Sequence, residues 1–319
     1  MQVGYGSPLD VLELRDVEMP RVGERDVLVR VHAASVNALD WHTTRGMPYF
    51  LRGLLGLRTP RQAIRGVDLA GRVVAVGAKV TELAPGDEVF GGSEGSFAEL
   101  TATTPKRLAR KPDGLTFEQA ATLHVAALTA LQGLRDAARL RAGQSVLVHG
   151  AGGGVGTFAV QVAKWLGARV TAVTRTESVE TVRSLGADEV IDHRREDFTR
   201  GGRRHDVFFD VGGTRPLAEC RRVLAERGTL VVVGAPPGRW LAPATRLLHA
   251  AALSPFVRQR LVPFVSRNDA ADLATLSQLA EAGTVRPVVD RTYPLDRAAE
   301  AIRYFGEGHA RGKVVVEVR

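Results

Sequence analysis

Glycines at positions 150, 153 and 156 follow the apolar run Ser145-Val146-Leu147-Val148-His149 and precede a helix-forming run, Thr157 to Leu166. A tight turn without side chains lets an anion approach the backbone. The helix that follows offers it free N–H groups and a positive dipole end. A second β-branched run, Arg169 to Val173, comes after the helix, so the order is that of a βαβ unit binding a dinucleotide. The pyrophosphate is expected against Gly150, Gly153, Gly154, Val155 and Gly156. The spacing alone occurs in many ordinary loops; the strand before it and the helix after it carry the reading.

The end of the second strand bears on the adenosine half. An acidic residue about 20 residues past the glycines holds a free ribose 2′-hydroxyl in NAD-binding units. This chain has Thr174-Arg175-Thr176 there, with Glu177 later. A guanidinium beside hydroxyls suits a 2′-phosphate, which it can bind through two hydrogen bonds. His193 and Arg194, after Val190-Ile191-Asp192, are placed to close the same pocket. Thr174, Arg175 and His193 thus favour NADP(H); the plain alternative is that Arg175 is one surface arginine among many.

Several function classes are disfavoured by composition. A chain of 319 residues is long for one core and implies two domains. No apolar run approaches the roughly 18 to 20 residues of a membrane span, and no secretory signal layout opens the chain. Cys220 is the single cysteine, so neither an internal disulfide nor a cysteine metal cluster is available. A cytoplasmic location is expected on these grounds. The net charge is +8, but all but five of the 43 basic residues are arginines scattered along the chain, and aromatics are only 6%. Nucleic-acid binding is not expected.

The pattern from Val11 to about Pro105 is β, with clear strands at Val27–Val31 and Gly71–Gly77. Thr116 with Gln119 reads as a capping box opening a helix at Phe117. A longer helix runs from about Ala126 to Leu140. Strands and helices then alternate: helix 178–185, strand 189–191, strand 207–211, helix 216–224, strand 229–233 and helix 270–280. Near-continuous apolar strands of this kind belong in a parallel sheet covered on both faces. A return to β pattern at 285–293, a helix at 295–305 and a last strand at 313–318 close the chain. The expected domains are residues 1–120 with 285–319, and 121–284.

Taken in order, Tyr5-Gly6-Ser7-Pro8, Ala34-Ser35-Val36-Asn37-x-x-Asp40, Gly66-Val67-Asp68-Leu69-Ala70-Gly71, Pro85-Gly86-Asp87-Glu88-Val89, Ala127-Leu128-Thr129-Ala130, the glycine turn, Leu185 to Asp192 and Gly312 to Val316 give the chain a likeness. It resembles the medium-chain dehydrogenase/reductase superfamily, in its zinc-free quinone oxidoreductase branch. The resemblance covers almost the whole chain. It implies an α/β fold, with a GroES-like β-rich domain and a Rossmann domain built on a doubly wound parallel sheet. Zinc-dependent relatives hold their metal with Cys, His and Cys. Here the first place is Asn37, the second Val67, and the third falls near Val125, beside His124. One imidazole does not make a three-ligand set, so no metal is expected.

The resemblance further implies transfer of hydride from NADPH to a quinone or an α,β-unsaturated carbonyl. It places Thr129 near the nicotinamide ribose, Gly234 and Ala235 near the carboxamide, and Gly312-Lys313 at the cofactor from the C-terminal segment. The nicotinamide is expected between the domains. Asn37 and Tyr49 are candidate groups at the acceptor, although Asn37 with Asp40 can equally brace a loop, and Tyr49 can be pocket wall. His124 reads more readily as a packed histidine than as an acid. The resemblance implies a homodimer, with the exposed edge of the cofactor-domain sheet pairing with its mate and Thr229 to Val233 as the candidate strand. Two other readings stay open: a zinc-independent alcohol dehydrogenase, and a crystallin-like cofactor-binding protein with little turnover. Two departures from the family pattern stand out. The first strand before Tyr5 is expected to be short or lost, and His193 stands where relatives often carry tyrosine.

Overall fold

The computed structural model describes residues 1–49, 52–234 and 242–318. It divides into two compact units, Met1–Leu128 with Arg267–Arg319, and Thr129–Ser266.

The first unit opens with α1 (Pro8–Val11), β1 (Val27–Ser35), α2 (Ala38–Arg45), α3 (Arg52–Leu55) and β2 (Asp68–Val76). It continues through β3 (Glu88–Gly92), β4 (Leu100–Thr103), β5 (Leu108–Arg110), α4 (Phe117–Ala120) and the start of α5 (His124–Gln132). The chain then builds the second unit from β6 (Ser145–His149), α6 (Gly154–Trp165), β7 (Arg169–Thr174), α7 (Val179–Ser184), β8 (Glu189–Asp192) and β9 (His205–Asp210). That unit is completed by α8 (Leu217–Arg222), β10 (Leu224–Val232), α9 (Ala242–Leu253) and β11 (Arg260–Pro263). The return to the first unit supplies α10 (Ala270–Glu281), β12 (Val289–Pro294), α11 (Ala298–Gly306) and β13 (Lys313–Glu317).

In the first unit the sheet order is β12-β13-β1-β2-β3-β5, with β4 paired to β1. Valines 27, 29 and 31 of β1 pack with Leu69, Val73, Val89, Val314 and Val316 into one core. Because β1 runs antiparallel to β2 and β13, its end lies beside the first residue of β2 and close to the start of β13. Ser35 pairs with Asp68 of β2 and with Val315 of β13, and the Val36 amide donates to the Val314 carbonyl at 2.9 Å. Three residues far apart in sequence, Asn37, Asp68 and Lys313, are thereby brought to one corner. The capping box read at Thr116 and Gln119 is present, with the Gln119 amide donating to Thr116 Oγ1 at 3.3 Å.

The expected boundaries at 120/121 and 284/285 differ from this division at both ends. Helix α10 packs on β5 of the first unit, where Ser277 Oγ donates to the Arg110 carbonyl at 3.2 Å. It therefore groups with the β-rich unit although its pattern reads as a further α/β helix.

The second unit has a parallel sheet in the order β11-β10-β9-β6-β7-β8. Leu147, Val148, Val170, Ala172, Phe208 and Phe209 are buried, as strands covered on both faces require. From β6 the chain proceeds outward to β7 and β8, then returns to β9 on the other side. The strand order thus reverses between β6 and β9, where open parallel sheets take their ligands. The expected dimer edge at Thr229 to Val233 is corrected here. That segment is interior, with Thr229, Leu230 and Val231 paired to Arg260, Leu261 and Val262 of β11 and also to β9. Four residues ending in Pro263 are too short a run to stand out as a strand. Among the described residues the sheet ends at β11 and β8.

Candidate functional site

Strand β6 ends at His149, and α6 begins at Gly154 with Gly153 as its N-cap. The Gly153 amide donates to the Gly150 carbonyl at 3.1 Å, closing the turn, and the Thr157 amide donates to Gly153 at 3.0 Å. A Cβ on Gly156 would stand 2.1 Å from the Gly150 oxygen and 2.6 Å from the Ala151 Cα. Only glycine lets α6 approach the turn this closely. Gly156→Ala is expected to push the helix N-terminus away from the turn and to weaken NADPH binding by about tenfold or more, the scale of losing one or two charge-assisted N–H bonds. Fluorescence titration of the folded variant measures it.

At the adenosine end, Thr174 closes β7 and is buried, while Arg175 is half-buried. Ser178 was not singled out from sequence. Its hydroxyl is buried and has no hydrogen-bond partner. A Cβ on Gly152 would lie 2.5 Å from Thr174 Oγ1 and 2.8 Å from Ser178 Oγ, so both hydroxyls meet the glycine turn. A buried hydroxyl left unpaired costs about 1 to 3 kcal/mol, which a polar ligand would relieve. The hydroxyl-rich run Thr174-x-Thr176-x-Ser178 was the available signal. These residues fit the phosphorylated adenosine of NADP(H). Thr176 is engaged elsewhere, donating to Asp192 Oδ2 at 2.6 Å, and Arg194 pairs with Glu177 Oε1 at 2.5 Å. His193 is solvent-exposed. Partial desolvation and the neighbouring His149 hold its imidazole below the ordinary histidine value.

Thr129 Oγ1 lies 3.0 Å from Ser266 Oγ, and the Gly234 amide donates to the Asp210 carbonyl at 2.9 Å. Ala235 lies outside the described residues.

The corner of the first unit holds a buried polar network centred on Asp68. Asp68 Oδ2 accepts from Ser35 Oγ at 2.6 Å, Asn37 Nδ2 at 2.8 Å and Lys313 Nζ at 3.2 Å. Its Oδ1 accepts from the Val125 amide at 3.1 Å and lies 3.0 Å from His124 Nδ1. Lys313 Nζ also donates to the Val36 carbonyl at 3.1 Å and to Asn37 Oδ1 at 2.6 Å. An ammonium has three protons, and three acceptors take them. Burial alone would raise the Asp68 carboxyl, but the Lys313 ammonium and bonds from His124 and Ser35 outweigh it and hold the group well below the usual carboxylate range.

Sequence reasoning missed Asp68 as the centre of this network. Asn37 and Lys313, expected at the acceptor and the cofactor, are brought together, with both side chains engaged inside the protein. His124 is packed, as expected, with Nε2 2.6 Å from Asn268 Oδ1. Asp40 braces the Asn37 loop, accepting from the Asn37 amide at 2.8 Å and the Gly66 amide at 3.1 Å. Burial raises its carboxyl to about 6 despite those two bonds. Tyr49 is half-buried, its ring under the Arg52 guanidinium at 4.8 Å.

The donor set does not fit a catalytic zinc. Val67 has no donor atom, Asn37 is held by Lys313 and Asp68, and a catalytic zinc takes three protein ligands. Among the described residues no three His, Cys, Asp or Glu side chains are grouped to hold a metal.

Residues 23–113 match the alcohol dehydrogenase GroES-like domain, and residues 185–316 the zinc-binding dehydrogenase family. The chain is 33% identical, over 98% of its length, to the chloroplast envelope quinone oxidoreductase homolog of Arabidopsis thaliana, covering 96% of that protein. It is 36% identical, over 98% of its length, to a chloroplastic NADPH-dependent alkenal/one oxidoreductase of the same plant, covering 77% of that one. Its structure resembles the quinone oxidoreductase from Coxiella burnetii with a TM-score of 0.86 and 30% identity, over 99% of this chain and 97% of that one.

The expected cytoplasmic location is corrected by these relatives, several of which are named as chloroplastic or mitochondrial proteins. A lone cysteine and the lack of a secretory layout do not separate one reducing compartment from another. No helix among the described residues is long and apolar enough to cross a membrane.

Proposed function

Because the chain belongs to the medium-chain dehydrogenase/reductase superfamily, in its quinone oxidoreductase branch, we propose that it reduces quinones and α,β-unsaturated carbonyls with NADPH and without a bound metal. The observation that carries the metal-free part is the corner where zinc-dependent relatives keep their ligands. Here it holds the Lys313–Asp68 ion pair, an asparagine and a valine.

NADPH supplies the hydride when bound. The glycine turn and the N-terminus of α6 hold the pyrophosphate, and Thr174, Arg175 and Ser178 hold the 2′-phosphate, with His193 at the pocket's exposed side. Thr129, Gly234 and Ala235 are the proposed contacts of the nicotinamide half. Asn37 and Lys313 act from within the polar corner, bracing the backbone between Ser35 and Asp40. Tyr49 is the remaining candidate for a hydrogen bond to the acceptor. With no Lewis acid to polarise a plain ketone, the acceptor must itself be electron-poor; the protein supplies orientation and exclusion of water. A homodimer is proposed as well, now through the edge of β11, which among the described residues pairs only with β10.

The test follows NADPH absorbance with quinones, enals and simple ketones. Turnover is expected with the first two classes only. Equal turnover of simple ketones would favour an alcohol dehydrogenase, and tight NADPH binding without turnover of any acceptor would favour a crystallin-like role. Metal analysis of active protein is expected to find no stoichiometric zinc, and activity is expected to survive chelation.

A further inference from the structure

His149 closes β6 and Asp210 closes β9. The two are register partners across the reversal of strand order in the parallel sheet. Ligands of open parallel sheets lie in the crevice outside that point, yet three buried polar side chains beneath it are not contacts in the reading above. His149, Asp210 and Arg246 are 5%, 0% and 8% exposed.

Their bonds converge on one carboxylate. Asp210 Oδ1 accepts from His149 Nδ1 at 2.7 Å and from the Gly213 amide at 2.9 Å. Asp210 Oδ2 accepts from Arg246 Nη2, whose other terminal nitrogen donates to the Arg215 carbonyl at 2.5 Å. The backbone of the same residues continues the pattern. The Val211 and Gly212 amides donate to the His149 carbonyl at 3.1 and 3.0 Å, and the Val233 and Gly234 amides donate to the Asp210 carbonyl at 3.1 and 2.9 Å. The Asp210 side chain is therefore tied to His149, the residue that leads into the glycine turn, to the turn after β9 and to α9, while its carbonyl holds the Val233 and Gly234 amides at the end of β10. Arg246, on α9, places its guanidinium against this buried carboxylate as an ion pair, and an uncompensated buried charge is strongly unfavourable.

We propose that Asp210, held by Arg246 and His149, is a positioning residue for the dinucleotide. It sets the turn after β9 and the residue that leads into the glycine turn, and does not itself touch the coenzyme. The proposal rests on the NADPH-dependent reading and adds to it the residues that shape the site from below. Its signature differs from that of the 2′-phosphate group. Turns that serve both coenzymes equally should, when loosened, weaken both equally, whereas Arg175 discriminates between them.

The test compares the full-length wild-type protein with Asp210→Asn, Arg246→Met and the double variant, by NADPH and NADH titration, kcat at saturating coenzyme and thermal melting. Asp210→Asn and Arg246→Met are each expected to raise both dissociation constants about tenfold, in equal proportion, with kcat at saturation within about threefold of wild type, the pattern of lost uniform binding. The double variant is expected to be no weaker than the worse single, because the two residues act as one pair. Unchanged dissociation constants in variants with lowered melting temperatures would overturn the proposal, leaving the pair a fold-stabilising element alone. Loss confined to NADPH would overturn it in favour of a direct 2′-phosphate role. If Arg246→Met does not fold, Arg246→Lys keeps the charge without the fork and is expected to lie between wild type and Asp210→Asn. Wild-type affinity in Arg246→Lys and Asp210→Asn together overturns the proposal. A wild-type protein that binds neither coenzyme overturns the NADPH-dependent reading, and with it this one; binding by wild type and variants alike overturns only the positioning role.

Discussion

Lys313→Met is expected to destabilise the protein by about 3 to 5 kcal/mol, the cost of leaving a buried carboxylate without its counter-ion. The Asp68 carboxylate is fully buried, and Lys313 is its nearest full positive charge. Methionine fills a similar volume and removes only the ammonium, so the loss is electrostatic and not a cavity. The double variant Asp68→Asn/Lys313→Met is expected to recover most of the loss, because an amide can keep some of the bonds from Ser35, Asn37 and the Val125 amide without needing a counter-ion. Urea unfolding at neutral pH measures both. A double variant as unstable as the single would show that packing, and not charge, holds this corner together.

The pH dependence separates the two carboxyls. Asp68 is held below its unfolded value, so its contribution is fully present above the ordinary carboxylate range, about pH 4. That contribution is lost only as pH falls through the depressed folded value. Asp40 has the opposite sign. With its folded value raised to about 6 by burial, its ionisation opposes folding as pH rises through the window between the ordinary range and about 6. Lys313 is among the groups holding Asp40 down. Lys313→Met should therefore move the acid unfolding midpoint upward and carry Asp40 higher as well.

This corner also marks the limit of what the sequence could reveal. The glycine turn was legible because strand, turn and helix are neighbours in the chain, and their spacing alone sets the geometry. Asp68 and Lys313 are 245 residues apart and meet only because β1 lies between β2 and β13. Each residue lies inside a motif, but no local pattern assigns one as the counter-ion of the other. Asp210 and Arg246 were missed for the same reason, since α9 must fold back onto the end of β9 before they pair. Strand β11 was hidden by its brevity, and that misplaced the sheet edge. Ser178 was hidden by ordinariness: a hydroxyl becomes informative only when burial leaves it without a partner.

Arg175→Ala is expected to reduce NADPH affinity by about ten- to a hundredfold, the range of one charge-assisted hydrogen-bond pair, while leaving NADH affinity nearly unchanged. Ser178→Ala should also weaken NADPH, but it carries a second signature. Removing a buried hydroxyl that has no hydrogen-bond partner within the protein is expected to leave the protein as stable or more so, since the desolvation penalty goes with it. A variant that binds NADPH less well yet melts no lower would identify Ser178 as a ligand-facing group. His193 gives the site a pH slope of known sign. Its imidazole titrates below the ordinary histidine value of about 6.5, and only the protonated ring attracts phosphate. Preference for NADPH over NADH should therefore grow as pH falls through that range, and His193→Gln should flatten the slope without removing the preference that Arg175 sets. Parallel titrations at several pH values measure both effects, and a preference indifferent to pH in the wild-type protein would place His193 outside the phosphate pocket.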